Sequence, residues 1–218
     1  MKQIVIYGTS SFAKRIYQYI QNEKSHQVLA FCVHRDFIIE TEINELPVYA
    51  FEDLSSKLNM NLVEILIAVG YSRMNKIREE VFCECKLLGY NVASFMSKYA
   101  LIQTEDIGEG NIILHNAYIG VNCQIGNCNV ISFGNSLGHD NIIGNFNFIS
   151  TSVIFGGGSV IKNNCFVGLN STLKSGILID DYSLVGSATN VLHSTDKYGV
   201  YVGNPAKKIK ENSLESKI

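Results

Sequence analysis

The sequence has no excess of basic charge: 18 Lys and Arg stand against 20 Asp and Glu, a formal net charge of −2 over 218 residues. A protein that holds nucleic acid or an anionic membrane through a broad basic field is thereby excluded. No apolar run reaches the roughly 18–20 residues of a bilayer-spanning helix, so membrane insertion is not expected. The six cysteines (Cys32, Cys83, Cys85, Cys123, Cys128 and Cys165) contain no C-x-x-C pair. That removes the usual zinc-site spacing, and their scatter speaks against a disulfide scaffold. They read as reduced thiols. Met1–Lys2 leads into a short apolar run closed by Gly8 with no cleavage-site pattern, so the expected location is the cytoplasm. Tryptophan is absent, and proline is confined to Pro47 and Pro205.

What is present is distributed unevenly. Residues 1–100 carry 22 charged side chains, whereas residues 101–200 carry 10 together with 14 of the 18 glycines and 13 asparagines. The shift marks a boundary, with a first domain over 1–98 and a second over 99–218.

From Ile107, steps of six give Ile113, Ile119, Ile125, Ile131, Leu137, Ile143, Ile149, Phe155, Ile161, Val167, Leu173, Ile179, Val185 and Val191: fifteen large apolar residues in one phase. On a helix at ~100° per residue, six residues turn ~600° and scatter these side chains around the axis. A strand keeps them on one side, because six is a multiple of two. Very short strands that turn every six residues, three to a coil of about 18, build a parallel β-helix. Fifteen hexads predict about five coils, with Gly and Asn admitting the corner geometry.

The first hundred residues alternate strand and helix. Ile4–Tyr7, Val28–Val33, Ile65–Val69 and Tyr90–Phe95 read as strands, Arg15–Gln21 and Arg73–Leu88 as helices, with a short helix opening at Phe51. This pattern predicts a small parallel Rossmann-like sheet whose ligand lies at the carboxyl ends of the strands. The candidate positions there are Gly8, Thr9, Ser10, Ser11 and Phe12, then His34, Arg35 and Asp36, then Gly70 and Arg73. The Gly8–Ala13 loop departs from G-x-G-x-x-G, which argues against a dinucleotide. The amides at the following helix start suit a phosphate, or Ser10 or Ser11 simply caps that helix.

The hexad signature resembles the left-handed β-helix acyltransferases. With the strand-loop IVIYGTSSFA, the segment ILIAVGYSRMNKIRE, the GHDNIIG stretch and the VGNPAK closure, the whole chain resembles bacterial sugar acyltransferases of the sialic-acid O-acetyltransferase type. That group includes N-acetyltransferases of nucleotide-linked amino sugars. The resemblance implies a left-handed prism, a homotrimer with acyl-CoA sites between neighbouring prisms, acetyl-CoA as co-substrate, and a nucleotide-linked amino sugar as acceptor. O-acylation of a sugar or sialic acid is the alternative, and a non-catalytic or zinc-dependent prism protein a second one. No metal is expected, since the three-histidine zinc branch would need a histidine where Gly144 stands.

Acyl transfer needs a base near neutral pKa and donors for the oxyanion. His139 lies two residues past the inward Leu137, in a turn, and should point outward. The resemblance makes His139 the general base, Asp140 its partner and the N–H of Gly157, one coil later, the contact to the acetyl carbonyl. It assigns Phe155, Gly157, Gly168, Ser187, Asn204, Pro205 and Lys207 to the coenzyme, with Lys208 a further candidate for its phosphates. Relatives often carry a second histidine nine to twelve residues past the base, where this chain has Phe148 and Thr151–Ser152. The first position of the strand-two loop, usually acidic, is His34, so the nucleotide base stays open.

Overall fold

The computed structural model describes residues 1–216. In chain order the α/β unit comprises β1 (Lys2–Tyr7), α1 (Ser11–Glu23), β2 (His26–Val33), β3 (Glu42–Ile43), β4 (Leu46–Ala50), α2 (Leu54–Lys57), β5 (Val63–Ile67) and α3 (Lys76–Leu87). The sheet order is β3-β4-β2-β1-β5, parallel except for the β3–β4 hairpin. Alternate residues of each strand face opposite sides. Ile4, Ile6, Phe31 and Val33 pack on Ala13, Ile16 and Ile20 of α1, while Val5, Tyr7, Ala30 and Cys32 pack with Val81, Phe82 and Cys85 of α3.

Two expectations are corrected here. Tyr90–Phe95 is not one strand: Val92 makes a single bridge to Ile65, and Phe95–Met96 (β6) pairs with Ile112–Ile113 in the second domain. Both segments are apolar because each is buried, but in different clusters. The helix expected from Arg73 begins at Lys76, because Arg73, Met74 and Asn75 are all left-handed, with φ of 52°, 49° and 65°. Three such non-glycine residues in a row are unfavourable and persist only where the surroundings enforce them. Met74 is buried against Leu184 and Val200, and the Asn75 side-chain amide donates to the Cys165 carbonyl at 3.0 Å.

The second domain is a left-handed β-helix with three parallel faces. The first runs through Ile112–Ile113, Val130–Ile131, Phe148–Ile149, Phe166–Val167 and Leu184–Val185. The second runs through Tyr118–Ile119, Ser136–Leu137, Ile154–Phe155, Thr172–Leu173 and Asn190–Val191, and the third through Gln124–Ile125, Ile142–Ile143, Val160–Ile161 and Leu178–Ile179. Ile107 bridges Ile125 and completes five levels on the third face. The pattern also reaches further back than the hexads predict. Phe95–Met96 and β7 (Leu101–Ile102) begin a coil ahead of Ile107, and the side from Ile102 to Ile107 has five residues instead of six. The inward aliphatics form one continuous core, each worth about 1.5–3 kcal/mol in burial.

The corners work differently from the expectation. Every sixth residue from Gly110 to Ala188 has φ between 51° and 74°, three positions past each inward aliphatic. Asn and Gly fill eight of these fourteen positions; Cys128, Asp140, Phe146, Ser152, Tyr182 and Ala188 fill the others. The glycines that directly follow the inward residue have another cause, which is close stacking of coils. A Cβ on Gly144 would lie 2.5 Å from the Lys162 carbonyl oxygen.

Buried asparagines tie successive coils together. The Asn129 N–H donates to Asn111 Oδ1, the Asn147 N–H to Asn129 Oδ1 and the Cys165 N–H to Asn147 Oδ1, each at 2.8–2.9 Å. Their side-chain amides donate sideways to Gly126, Gly144 and Lys162 carbonyls at 2.8 Å. Leaving such a buried group unpaired costs about 1–3 kcal/mol, so this Asn-rich sequence stays folded through its polar interior as well as its aliphatic one.

The α/β unit sits on the first face. Ile112, Leu114, Val130 and Phe148 join its apolar core, and Tyr71 packs edge-on against Phe148 and Phe166. Arg78 is fully buried at this seam. Its guanidinium donates to the carbonyls of Val69, Gly70, Cys128, Phe146 and Asn147 and to Asn75 Oδ1, at 2.7–3.1 Å. Burial lowers its pKa to about 10, so it stays charged at neutral pH.

Candidate active site

His139 and Asp140 occupy the corner between the second and third faces. Asp140 is one of the left-handed corner residues, φ 58°, and this conformation turns its carboxylate back onto the preceding ring. Its Oδ2 lies 2.5 Å from His139 Nδ1, and its Oδ1 accepts from the Asn122 amide of the coil before at 3.0 Å. The hydrogen bond from His139, then that from Asn122, hold the Asp140 carboxyl below the usual carboxylate range. With Nδ1 engaged, Nε2 is the ring atom left for a ligand, and the ring is largely exposed.

Eighteen residues on, Gly157 lies directly against this ring. A Cβ at Gly157 would stand 2.6 Å from His139 Nε2 and 2.7 Å from Cε1. The His139 carbonyl accepts from the Gly158 N–H at 2.9 Å, and the Gly157 carbonyl from Gly176 N–H at 3.1 Å. Among the described residues the Gly157 N–H has no acceptor, so a free backbone donor sits beside a free imidazole nitrogen. Gly157→Ala should therefore displace the ring and lower kcat about 10²-fold, as expected for a misplacement near 1 Å. Circular dichroism should show the fold intact, and unchanged turnover would refute the ring–glycine coupling. Cys123, on the same corner, donates its S–H to the Gly138 carbonyl at 3.0 Å, and burial raises its thiol pKa, which disfavours a thiolate nucleophile there.

The remaining coenzyme candidates do not gather at this corner. Gly168 and Ser187 lie on the corner between the first and second faces, where a Gly168 Cβ would meet the Ser187 amide at 2.5 Å. Asn204 accepts from Asn190 at 3.1 Å beyond the last coil, Pro205 follows it, and Lys207 is exposed nearby. The Phe155 side chain is 2% exposed inside the prism, since it is an inward hexad residue, so only its backbone can meet a ligand. Lys208 is engaged by the exposed carboxylates of Asp196 and Glu211.

At the carboxyl ends of the strands, Gly8 is held by space and by φ 123°, with a Cβ blocked at 2.7 Å by the Ala68 carbonyl. Ser10 stands at the N-cap of α1 but its side chain makes no capping bond. Within the described residues the N–H groups of Ser11, Phe12 and Ala13 have no acceptor. Thr9, Ser10 and Ser11 flank this free helix start, and Phe12 reaches the seam, 6.2 Å from the Phe148 ring.

The strand-two loop splits. His34 is held between the Tyr7 hydroxyl, 2.5 Å from Nδ1, and Glu84, 2.9 Å from Nε2. Arg35 turns away to Asp53 at 2.7 Å, and Asp36 is exposed. Arg73 and His34 line one cavity of about 370 Å³ with Tyr7, Phe37, Ile77, Glu80, Val81 and Glu84. Gly70 instead gives its carbonyl to Arg78 at 2.7 Å.

A smaller cavity of about 190 Å³ opens where α1 meets the first corner, with Phe12, Arg15, Tyr71, Phe133, Ser150 and Thr151 among its walls. Arg15 and Glu84 carry no motif, and only the folded chain brings them to these cavities. Phe148, nine residues past His139, is buried and stacked on Phe166 at 5.8 Å. Among the described residues no His, Cys, Asp or Glu cluster is arranged to hold a metal ion, and no helix is long and apolar enough to cross a membrane.

Residues 3–85 match the PglD N-terminal domain family. No curated protein sequence matches the chain significantly. The acetyltransferase domain of PglB from Neisseria gonorrhoeae superposes with a TM-score of 0.85 at 16% identity, over 96% of this chain and 100% of that one. A mutant of GDP-perosamine N-acetyl transferase from Caulobacter crescentus, in complex with CoA and GDP-perosamine, gives 0.86 at 19% identity, over 97% and 98%. WeeI from Acinetobacter baumannii gives 0.55 at 21% identity, over 96% and 100%. The chain thus has their fold, an α/β unit followed by a left-handed β-helix.

Proposed function

We propose, for a chain that joins a PglD N-terminal domain to a hexapeptide-repeat prism, that it is an acetyl-CoA-dependent N-acetyltransferase of a nucleotide-linked amino sugar. The observation that carries this reading is the pairing of His139, its Nδ1 fixed by Asp140, with the unpaired N–H of Gly157 against the same ring. The relatives' complexes with CoA and a nucleotide amino sugar support it.

His139 Nε2 takes a proton from the acceptor amine as that nitrogen attacks the thioester carbonyl. The carbonyl oxygen becomes negative, and Gly157 N–H is the donor placed to receive it. Collapse breaks the C–S bond and expels the CoA thiolate, which takes the proton back from the His139 imidazolium, leaving the amide with no acyl-enzyme. Asp140 orients the ring by holding its Nδ1. At the other end, Gly8–Phe12 offer the free α1 amides to the diphosphate, and Lys207 faces the coenzyme from the C-terminal closure.

The α/β unit packs on the first face, whereas His139 projects from the corner opposite it. A nucleotide held by the unit is thus turned away from its own His139, and the reading places the transfer between copies, in a homotrimer with clefts between prisms. Native mass spectrometry should give three chains. Incubating the protein with acetyl-CoA and a panel of nucleotide-linked 3- and 4-amino sugars tests the activity: thiol release together with a product heavier by one acetyl group is expected. Failure across the panel, with no CoA binding, would sink it.

Asp140 gives a pH prediction. Its folded pKa lies below the ordinary carboxylate value near 4, so it is ionised throughout the neutral range and its pairing with His139 is lost only in more acidic solution. The kcat/KM profile should show no ionisation between pH 5 and 8 that vanishes in Asp140→Asn.

A further inference from the structure

The cavity of about 370 Å³ at the ends of β1 and β2 holds a side-chain relay that the chemistry at His139 does not use. The Tyr7 hydroxyl and His34 Nδ1 share a hydrogen bond of 2.5 Å. The other ring nitrogen, Nε2, pairs with Glu84 Oε2 at 2.9 Å. Both nitrogens of His34 are therefore taken by the protein. The ring cannot read a ligand; it holds Glu84 in place. Arg73 and Glu80 offset one another across the rim at 3.4 Å, and among the described residues Glu84 Oε1 has no partner, which leaves this carboxylate as the cavity's open acceptor. Phe37, Ile77 and Val81 supply flat apolar walls.

We propose that this cavity holds the base of the nucleotide and selects guanine, with Glu84 as the specificity-determining residue and His34 and Tyr7 as its positioning residues. The assignment rests on the nucleotide-linked acceptor argued above. A carboxylate accepts only. Guanine offers it two adjacent donors, N1–H and the 2-amino group, which match its two oxygens. Uracil and thymine offer a single N–H flanked by two carbonyls, and those oxygens would face the carboxylate. Adenine and cytosine set their amino group beside a ring-nitrogen acceptor, so only one of the two bonds forms.

Isothermal titration calorimetry of the full chain with GDP, UDP, dTDP, CDP and ADP tests this. GDP should bind about 10–100-fold more tightly than UDP or dTDP, the range of one good bidentate base contact. In Glu84→Gln the amide oxygen still accepts from His34 and the NH2 faces the cavity, so the preference should be lost or reversed towards UDP and dTDP. Equal binding of UDP or dTDP to the wild-type chain would overturn the proposal without any variant. So would a GDP preference that survives in a Glu84→Gln chain. If a nucleotide sugar of another base is acetylated, the guanine assignment fails and the proposed function stands. If no nucleotide binds at all, both fail.

Discussion

His139→Ala is expected to lower kcat for acetyl transfer by about 10²–10⁴-fold, the span of a positioned general base, with acetyl-CoA binding little changed. Nε2 is the only ring atom free for the acceptor, because Nδ1 belongs to Asp140. A loss confined to the transition state appears in kcat and kcat/KM together, whereas a loss of ground-state binding raises KM alone. The substitution is safe for the fold: the side chain is largely exposed on a corner, where replacements usually change stability by no more than about 0.5 kcal/mol. Steady-state kinetics with thiol detection checks this, and near-wild-type turnover of the purified variant would remove His139 from the mechanism.

Arg78→Met should destabilise the chain by about 3–5 kcal/mol, because several buried neutral acceptors lose their donor at about 1–3 kcal/mol each. The six hydrogen bonds of this guanidinium reach the end of β5, the left-handed turn before α3 and two successive coils of the prism. Methionine fills part of the volume and leaves acceptors in a dry seam without donors. Urea unfolding followed by circular dichroism gives the value. A midpoint within error of wild type would show that water or rearrangement replaces the network.

How far the sequence discloses this molecule depends on whether the constraint is local. The prism could be read because its interior repeats one large aliphatic every six residues from Ile107 to Val191. Its first coil could not, since the five-residue side from Ile102 to Ile107 breaks the phase. The left-handed corners were also hidden: Cys128, Phe146 and Tyr182 have no preference for that conformation, and inter-coil bonding holds them there. His139 and Asp140 are neighbours, so their pairing was legible. His34 and Glu84 are 50 residues apart and meet only in the fold. Arg78 in sequence looks like one more charge on an amphipathic helix. That the Phe155 side chain points inward was legible from its place in the hexad series.

The eighteen-residue coil also makes the chain its own ruler. A residue's number, taken in steps of eighteen, gives a compass bearing around the axis, and each full step adds an altitude of about 4.8 Å. Gly157 overlies His139 because 157 − 139 is one such step. Inserting a whole coil above them would lengthen the tower and leave every bearing intact. Inserting six residues between them would swing the glycine a third of the way round and leave the histidine facing bare solvent. Evolution along this scaffold is thus free to lengthen or shorten it by whole storeys, and is held fast wherever two storeys share one piece of chemistry.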